Sequence, residues 1–231
     1  MNDSRICTID GPAGAGKSTV AKAVARSLGW QVLDTGAIYR ALAVVAQARS
    51  VAWDAEPALA ALATEMNVRF QLEGDKNRMF VTVAQEAEQE VTSKLRTPEI
   101  SNGASAVSKL PAVRAALLGL QRRLGERGEV VVEGRDTGTV VFPTAGAKFF
   151  LTASAEERAR RRWDELRAAG QDIDFARVLG EQVARDEQDT QRAAAPLRQA
   201  DDAALVDSSG VPLEAVIARI ADAVRARFRL T

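Results

Sequence analysis

The stretch that decides the fold is Gly11-Pro12-Ala13-Gly14-Ala15-Gly16-Lys17-Ser18, near the start of a chain of 231 residues. It matches the pattern G-x-x-x-x-G-K-[ST] at every fixed position, and loops of this kind turn backbone N–H groups toward phosphate oxygens. The run Arg5–Ile9 before it is typical of a short strand. After it, Val20, Val24 and Leu28 recur at a spacing of four, which is typical of a helix. The stretch therefore predicts a phosphate-binding loop between a strand and a helix.

The general chemistry of such loops assigns tasks to individual residues. Lys17 is expected to bridge the β- and γ-phosphates of a bound nucleotide, and the Ser18 hydroxyl to hold Mg²⁺. The positive end of the following helix would face the same phosphates. The predicted ATP-binding positions in the loop are Gly11, Ala13, Gly14, Ala15, Gly16, Lys17, Ser18 and Thr19. The loop alone does not select an activity, because GTPases, ATPases and transporters also use it.

The overall composition excludes several classes of function. Lys plus Arg and Asp plus Glu are both 31, and this zero net charge argues against a nucleic-acid coat or a polybasic membrane binder. The sequence has no histidine, which excludes a Ser-His-Asp triad, a histidine base and most zinc sites. Its one cysteine, Cys7, allows no internal disulfide. Without a leader pattern or a run of 18 apolar residues, we expect a cytoplasmic protein with no membrane partner.

Strand and helix patterns alternate along the rest of the chain. Further strands are predicted at Gln31–Leu33, Glu129–Glu133, Lys148–Leu151 and Ala203–Asp207. Helices are predicted at Gly36–Ala48, from Pro98 with Thr97 as N-cap, at Pro111–Glu126, Ala155–Ala168 and Asp174–Asp189, and at Pro212–Phe228. This alternation predicts an α/β fold with a doubly wound parallel sheet that binds ligands at the carboxyl ends of its strands.

One segment departs from this alternation. Val68–Leu72 and Met79–Val83 each alternate apolar and polar residues, which predicts a small antiparallel sheet inserted between helices. The charged segment Glu73–Arg78 between them is expected to form the turn.

Five segments, spread from Ile9 to the last helix, together resemble the bacterial cytidylate kinase family. They are Ile9–Pro12 with the loop, Leu33-Asp34-Thr35-Gly36-Ala37-Ile38-Tyr39-Arg40, Glu133–Pro143, Arg185-Asp186, and Arg192–Leu197. The resemblance implies a monomeric enzyme that moves the terminal phosphoryl group of ATP-Mg to CMP or dCMP. It also implies a P-loop core (1–35, 107–154 and 191–231), an inserted nucleotide-binding lobe (36–106) that holds the antiparallel sheet, and a short helical lid (155–190), in one compact unit overall. The two mobile lobes would close over the core to exclude water.

The resemblance also implies an acceptor-binding set. It consists of Thr35, Tyr39, Arg40, Ser105, Arg114, Arg135, Asp136, Asp189 and Arg192. Arg40 and Arg135 would hold the acceptor phosphate, for which the guanidinium fork is suited. Asp136 would accept the amino hydrogen of cytosine, which uracil lacks, and Asp189 would contact the ribose. From the residues alone, a solvated Arg40 and an ion-paired turn at Arg135-Asp136 stay open.

The implied catalytic set is Lys17, Arg135, Arg162, Arg185 and Arg192, which would neutralise the charge on the transferring group. Arg158, four residues before Arg162, would contact ATP from the same helix face, although a solvated charged helix is the alternative. Glu133 stands where part of the family has aspartate. It would contact Mg²⁺ through water or, equally, serve as a buried partner for an arginine.

Three other functions remain open from the sequence. The acceptor could be UMP or AMP instead of CMP. The loop could belong to a nucleotide-dependent switch or binding module, although the absence of an N-K-x-D element disfavours a GTPase. The arginines between Arg158 and Arg162 could bind nucleic acid, which the zero net charge disfavours.

Overall fold

The computed structural model describes residues 5–74, 76–192 and 194–230. The chain divides into two compact units, one made of Met1–Trp30 with Val131–Thr231 and the other of Gln31–Val130. The division into core, lobe and lid stays a prediction from the resemblance. Within the described residues, no helix combines the length and the apolar character that crossing a membrane requires.

The strands are β1 (Ile6–Asp10), β2 (Gln31–Asp34), β3 (Met66–Glu73), β4 (Lys76–Val83), β5 (Gln89–Glu90), β6 (Val130–Gly134), β7 (Ala147–Thr152) and β8 (Ala204–Asp207). The helices are α1 (Lys17–Leu28), α2 (Thr35–Ala48), α3 (Glu56–Glu65), α4 (Pro98–Val107), α5 (Pro111–Gly125), α6 (Ala155–Ala168), α7 (Phe175–Thr190) and α8 (Leu213–Phe228). A π-helical turn spans Thr137–Val141.

The main sheet has five strands in the order β2-β6-β1-β7-β8. β1 pairs in parallel with β7, with Thr8 opposite Lys148, and β7 pairs in parallel with β8. Neighbours that are not consecutive in sequence require crossover connections, so the predicted doubly wound sheet is confirmed. All residues of β1 and β6 are buried, as expected for central strands of a parallel sheet. The segments that follow these two strands, the glycine-rich loop and Arg135-Asp136, carry the candidate site.

The second sheet is antiparallel, in the order β3-β4-β5, which confirms the predicted insert. Val68 lies opposite Val81. The predicted turn Glu73–Arg78 is too long, because β3 continues to Glu73 and β4 begins at Lys76. The polar residues there keep the strand alternation, and Arg78 packs its guanidinium 5.1 Å from the ring centroid of Phe80. Asp75 lies outside the described residues, and the two-residue strand β5 was not predicted.

The cap predicted at Thr97 is confirmed. Thr97 accepts a hydrogen bond from the Ile100 N–H (3.2 Å), and Gly29 ends α1 with a φ of +69°. The start of β6 differs from prediction, because Glu129 has a left-handed φ of +52° and lies outside the strand. Helix α3 was not predicted, since its alanine-rich sequence buries only Leu59, Leu62 and Ala63 and gives a weak amphipathic pattern.

The three tryptophans and the cysteine take part in packing. The Trp30 ring is buried and lies 5.5 Å from that of Phe228, centroid to centroid. Trp53 and Trp163 are half-buried, and each donates its indole N–H to a backbone carbonyl. Burial raises the pKa of the Cys7 thiol far above its ordinary value, so this side chain is not a nucleophile.

Candidate functional site

The loop after β1 depends on glycine at two positions. At Gly11 a Cβ atom would lie 1.9 Å from the Leu151 carbonyl oxygen, so no other residue fits against β7. Gly16 adopts a left-handed φ of +86° and is the N-cap of α1. The helix therefore begins at Lys17, and its first turn contains no acidic residue. The positive end of α1 is left available for an anion, as the loop pattern predicts.

Lys17 is buried, with an exposed fraction of 6%. Its Nζ donates to the Pro12 carbonyl at 2.6 Å. Burial lowers its pKa well below the ordinary value, and the charge of Arg135 lowers it further, while Glu133 and Asp10 oppose the shift. Arg185 also lowers this pKa. The carboxylates of Glu133 and Asp10 therefore offset only part of what lowers the pKa of Lys17. A bound anion would stabilise the charged form of this lysine.

Asp189 on α7 joins the predicted catalytic arginines. Its Oδ2 accepts a hydrogen bond from Arg135 Nε at 2.7 Å, and its Oδ1 lies 3.2 Å from Arg192 Nη2. Burial acts to raise the pKa of Asp189, but the charges of Arg135, Arg192 and Arg185, with the Arg135 hydrogen bond, bring it below the ordinary value. The structure therefore brings together Arg135, Arg185, Arg192 and Lys17, four of the five residues predicted to be catalytic.

Asp10 is the last residue of β1, and the sequence predicted no role for it. Its carboxylate accepts hydrogen bonds from the Thr137 N–H (2.8 Å), the Thr137 hydroxyl (2.8 Å) and the Gly138 N–H (2.7 Å). Burial raises the pKa of Asp10, and these hydrogen bonds oppose that shift. Asp10 thereby anchors the π-helical turn that follows Arg135-Asp136. Periodicity does not predict such a turn, which is common near functional sites.

Lys148 holds the other end of the same segment. Its buried Nζ donates to the Pro143 carbonyl at 2.6 Å and to an Asp202 carboxylate oxygen at 2.9 Å. Asp136 is itself buried and lies at the N-cap position of the turn. The two residues predicted to meet the acceptor phosphate and base, Arg135 and Asp136, are thus carried by a segment held at both ends.

Arg158 on α6 is buried and fully engaged by its own unit. It donates to the carbonyls of Ala153 (2.9 Å) and Ala13 (3.1 Å), and its Nη1 lies 2.6 Å from Asp186 Oδ2. The alternative of a solvated side chain is therefore wrong for Arg158. Its contact with ATP stays a prediction.

The neighbouring arginines of α6 differ from Arg158. Arg162 is exposed and pairs with Glu165 at 3.1 Å, so the structure does not place it with the other predicted catalytic residues. Arg161 pairs with Glu157 and donates to the Ser208 carbonyl at 2.9 Å. The expected absence of a nucleic-acid partner stays a prediction from the zero net charge.

The second unit holds the other residues predicted for the acceptor. Thr35 and Tyr39 are buried on α2, and Arg40 Nη1 lies 4.0 Å from Asp34 Oδ2. The guanidinium of Arg114 lies 5.6 Å from the ring centroid of Tyr39. Within this unit the structure therefore brings two of the predicted residues, Tyr39 and Arg114, into contact.

Ser105 is linked to Arg114 through one intervening residue. Arg114 donates to the Ser108 carbonyl at 3.2 Å, and the Ser108 hydroxyl donates to the Ser105 carbonyl at 3.1 Å. The roles of Thr35, Tyr39, Arg40, Ser105 and Arg114 stay predictions.

The possible metal ligands are few. Over residues 5–74, 76–192 and 194–230, no group of three or more His, Cys, Asp or Glu side chains could hold a metal ion. Ser18 follows Lys17 in the first turn of α1, and Glu133 is buried close enough for its charge to raise the pKa of Lys17. One hydroxyl and one buried carboxylate fit a Mg²⁺ ion that arrives with a polyphosphate better than a permanently bound ion.

Comparison with known proteins agrees with this geometry. The family model described as Cytidylate kinase matches residues 7–226. A cytidylate kinase of Shewanella denitrificans is 46% identical over 221 residues, covering 96% of each chain. One of Pseudomonas paraeruginosa is 51% identical over 212 residues, covering 92% of this chain and 91% of the relative. One of Syntrophotalea carbinolica is 44% identical, covering 98% and 94%.

A solved structure supports the fold alone. A protein of Eubacterium ventriosum, described as uncharacterized, superposes with a TM-score of 0.54 at 12% identity, covering 96% of this chain and 99% of that one.

Proposed function

The chain belongs to the cytidylate kinase family, and on that premise we propose that it transfers the terminal phosphoryl group of ATP to CMP, giving CDP and ADP. The observation that carries the proposal is the gathering of three arginines, Arg135, Arg185 and Arg192, whose charges act on the buried Lys17 or on Asp189 beside it. Two anionic nucleotides must meet for this reaction, and a cluster of fixed cations offsets their repulsion. We extend the proposal to dCMP as a second acceptor, to Mg²⁺ as the metal, and to a cytoplasmic monomer.

Charge neutralisation is the main task of the protein in this mechanism. Phosphoryl transfer needs positioning and electrostatic stabilisation more than covalent catalysis. Phosphates bound at the loop would oppose the burial and cation repulsion that depress the pKa of Lys17, so the lysine becomes a full cation when substrate is present. Arg135 and Arg192, both paired with Asp189, are already oriented before substrate arrives.

No protein base is required. The acceptor phosphate oxygen is itself the nucleophile, which agrees with a sequence that has no histidine. Mg²⁺ supplies further charge neutralisation at the phosphates when bound, and Ser18 with Glu133, the latter through water, would hold it. Arg158 would contact ATP, and Arg162 would add positive charge, as the family resemblance implies.

Specificity for cytosine is assigned to Asp136. A buried carboxylate can accept the amino hydrogen of cytosine, whereas uracil presents a carbonyl oxygen there and would leave the carboxylate unsatisfied. We assign the acceptor phosphate to Arg40 and Arg135 and the ribose to Asp189. Thr35, Tyr39, Ser105, Arg114 and Arg192 complete the acceptor set.

The test is an ADP-release assay with ATP-Mg and equal concentrations of CMP, dCMP, UMP or AMP. We expect rapid release with CMP and dCMP only. Asp136→Ala should reduce turnover with CMP and lower the ratio of turnover with CMP to turnover with UMP. The control Asp164→Asn, which changes an exposed carboxylate on α6, should behave as wild type. Preference for UMP or AMP in the wild type would reject the cytosine assignment. Absence of acceptor-dependent release from folded protein would favour a nucleotide-binding module.

A further inference from the structure

Two side chains converge on one backbone carbonyl of the phosphate-binding loop. The Ala13 carbonyl accepts hydrogen bonds from Gln182 Nε2 at 2.8 Å and from Arg158 Nη1 at 3.1 Å. Gln182 lies on α7 and Arg158 on α6, and both side chains are buried, with exposed fractions of 7% and 6%. Two buried donors on one loop carbonyl indicate that the direction of this peptide group is tightly fixed.

Helix α7 supplies this contact from a single face. Gln182, Asp186 and Asp189 are separated by four and three residues, so they project from the same side of the helix. Asp186 pairs with Arg158 at 2.6 Å, and Asp189 pairs with Arg135 at 2.7 Å. One face of α7 thus contacts the phosphate-binding loop at Ala13, through Gln182, and Arg135, through Asp189.

The direction of the Ala13 carbonyl has a consequence for phosphate binding. In a trans peptide the carbonyl and the following N–H point in opposite directions. Fixing the Ala13 carbonyl against the two helices therefore also fixes the Gly14 N–H on the opposite side of the loop. Gly14 is exposed and has a left-handed φ of +74°, and loops of this type bind phosphate through such N–H groups.

Close packing supports the same arrangement. A Cβ atom at Gly14 would lie 3.1 Å from Arg158 Cβ and 3.2 Å from the Arg158 carbonyl oxygen. Helix α6 therefore contacts the loop directly. The peptide between Ala13 and Gly14 has little freedom to rotate while Gln182 and Arg158 keep their hydrogen bonds.

We propose that Gln182 and Asp186 are positioning residues for the donor nucleotide. Gln182 orients the peptide between Ala13 and Gly14 directly, and Asp186 does so by holding Arg158, so that the Gly14 N–H is aimed at the donor phosphates before ATP binds. The inference rests on the proposed function only in that the loop binds ATP.

The experiment compares Gln182→Met and Asp186→Asn with wild type. Met keeps the length of Gln and removes its donor, and Asn keeps the shape of Asp and removes its charge. The control is Glu181→Gln on the same helix, which alters an exposed pair with Arg177. ATP binding is measured by calorimetry without acceptor, thermal unfolding is recorded for each variant, and KM values for ATP and CMP are then determined.

We expect the dissociation constant for ATP to rise about five- to tenfold in each variant, as expected for loss of one buried hydrogen bond or ion pair, and not at all in the control. The double variant should lose less than the product of the two single losses, since both changes act on one carbonyl. The KM for ATP should rise more than the KM for CMP.

A purely structural role gives a different result. In that case the variants would unfold at lower temperature while the folded protein bound ATP as tightly as wild type, and this outcome would overturn the proposal. If Asp186→Asn is poorly folded, Gln182→Met decides alone, because it removes only one neutral hydrogen bond. If the wild type binds ATP but does not phosphorylate CMP, the proposed function is rejected. The ATP dissociation constants of the variants then decide this inference by themselves.

Discussion

The molecule contains two kinds of arginine–carboxylate pair with nearly the same geometry. In the antiparallel sheet, Arg78 Nη2 lies 2.5 Å from Glu90 Oε2. In the candidate site, Arg135 Nε lies 2.7 Å from Asp189 Oδ2. The side chains of the first pair are 33% and 37% exposed, and those of the second are 20% and 11% exposed. The difference between the pairs is therefore their access to water rather than their distance.

This difference separates surface features from functional ones. Exposed pairs contribute little to stability, because water and salt screen the charges. Removing one partner of a buried pair leaves a charge without compensation in a poorly solvated place, which is costly. Buried pairs therefore define the orientation of the arginines at the site. If this contrast is correct, substitutions of buried groups at the candidate site should reduce activity, and a substitution in the exposed pair should not.

The largest effect is expected for Lys17→Met. It removes the buried cation that would stabilise the transferring phosphoryl group, and loss of one such contact typically lowers kcat by about 10²- to 10³-fold. The fold should persist, since Met suits a buried position. Initial rates of ADP release measure the loss of turnover, and circular dichroism tests whether the fold persists. Near-normal turnover would remove Lys17 from the mechanism.

Lys17→Met should also change how the free energy of unfolding depends on pH. The pKa of Lys17 lies below its ordinary value in the folded protein, so the unfolded chain binds the extra proton between the two pKa values. The wild-type free energy of unfolding should gain a rising contribution with pH in that interval. Lys17→Met lacks this contribution, so chemical unfolding of both proteins over an alkaline pH series isolates it. Parallel curves for the two proteins would contradict the depressed pKa.

A smaller loss is expected for Asp189→Asn. The change removes the charge that orients Arg135 and Arg192, so kcat/KM for CMP should fall roughly 10- to 100-fold. The pKa of Asp189 is below its ordinary value in the folded protein, so its stabilising contribution is present above the unfolded-state pKa. That contribution is lost as pH falls through the folded-state pKa. Acid unfolding of wild type should therefore show a component that the variant lacks. Equal kcat/KM would mean that the arginines keep their orientation without this carboxylate.

The sequence predicted the frame of the site better than the contacts that hold it. The glycine-rich loop, a buried strand predicted at Glu129–Glu133 and the cap at Thr97 follow from local patterns, and all three were found, the strand one residue later at Val130–Gly134. The engagement of Arg158 with Ala13 depends on residues far apart in sequence, which periodicity does not report. Helix α3 was missed because alanine carries little amphipathic contrast.

An intermediate effect is expected for Asp10→Asn, which tests a carboxylate that no local pattern marked. Asn keeps the shape but cannot accept both backbone N–H groups of the π-helical turn equally well, so the KM for CMP should rise about tenfold or less. Folding raises the pKa of Asp10, so ionisation destabilises the native state as pH rises through that pKa. The variant should lose this dependence in chemical unfolding between acidic and neutral pH. An unchanged KM for CMP would show that the turn is held well enough by Lys148.

The smallest effect is expected for Glu90→Gln, which changes the exposed pair of Glu90 with Arg78. The hydrogen bonds from Arg78 and Thr92 lower the pKa of Glu90 to about 2, so the paired carboxylate is present at neutral pH and lost only as pH falls through that value. The Glu90 side chain is nonetheless exposed, so water and salt should cancel most of its attraction for Arg78. We expect the unfolding temperature to change by less than about 2 °C at physiological salt and activity with CMP to equal that of wild type. High salt should remove any remaining difference in unfolding temperature. A loss of turnover in this variant would mean that the antiparallel sheet takes part in function, and exposure would then no longer separate the two kinds of pair.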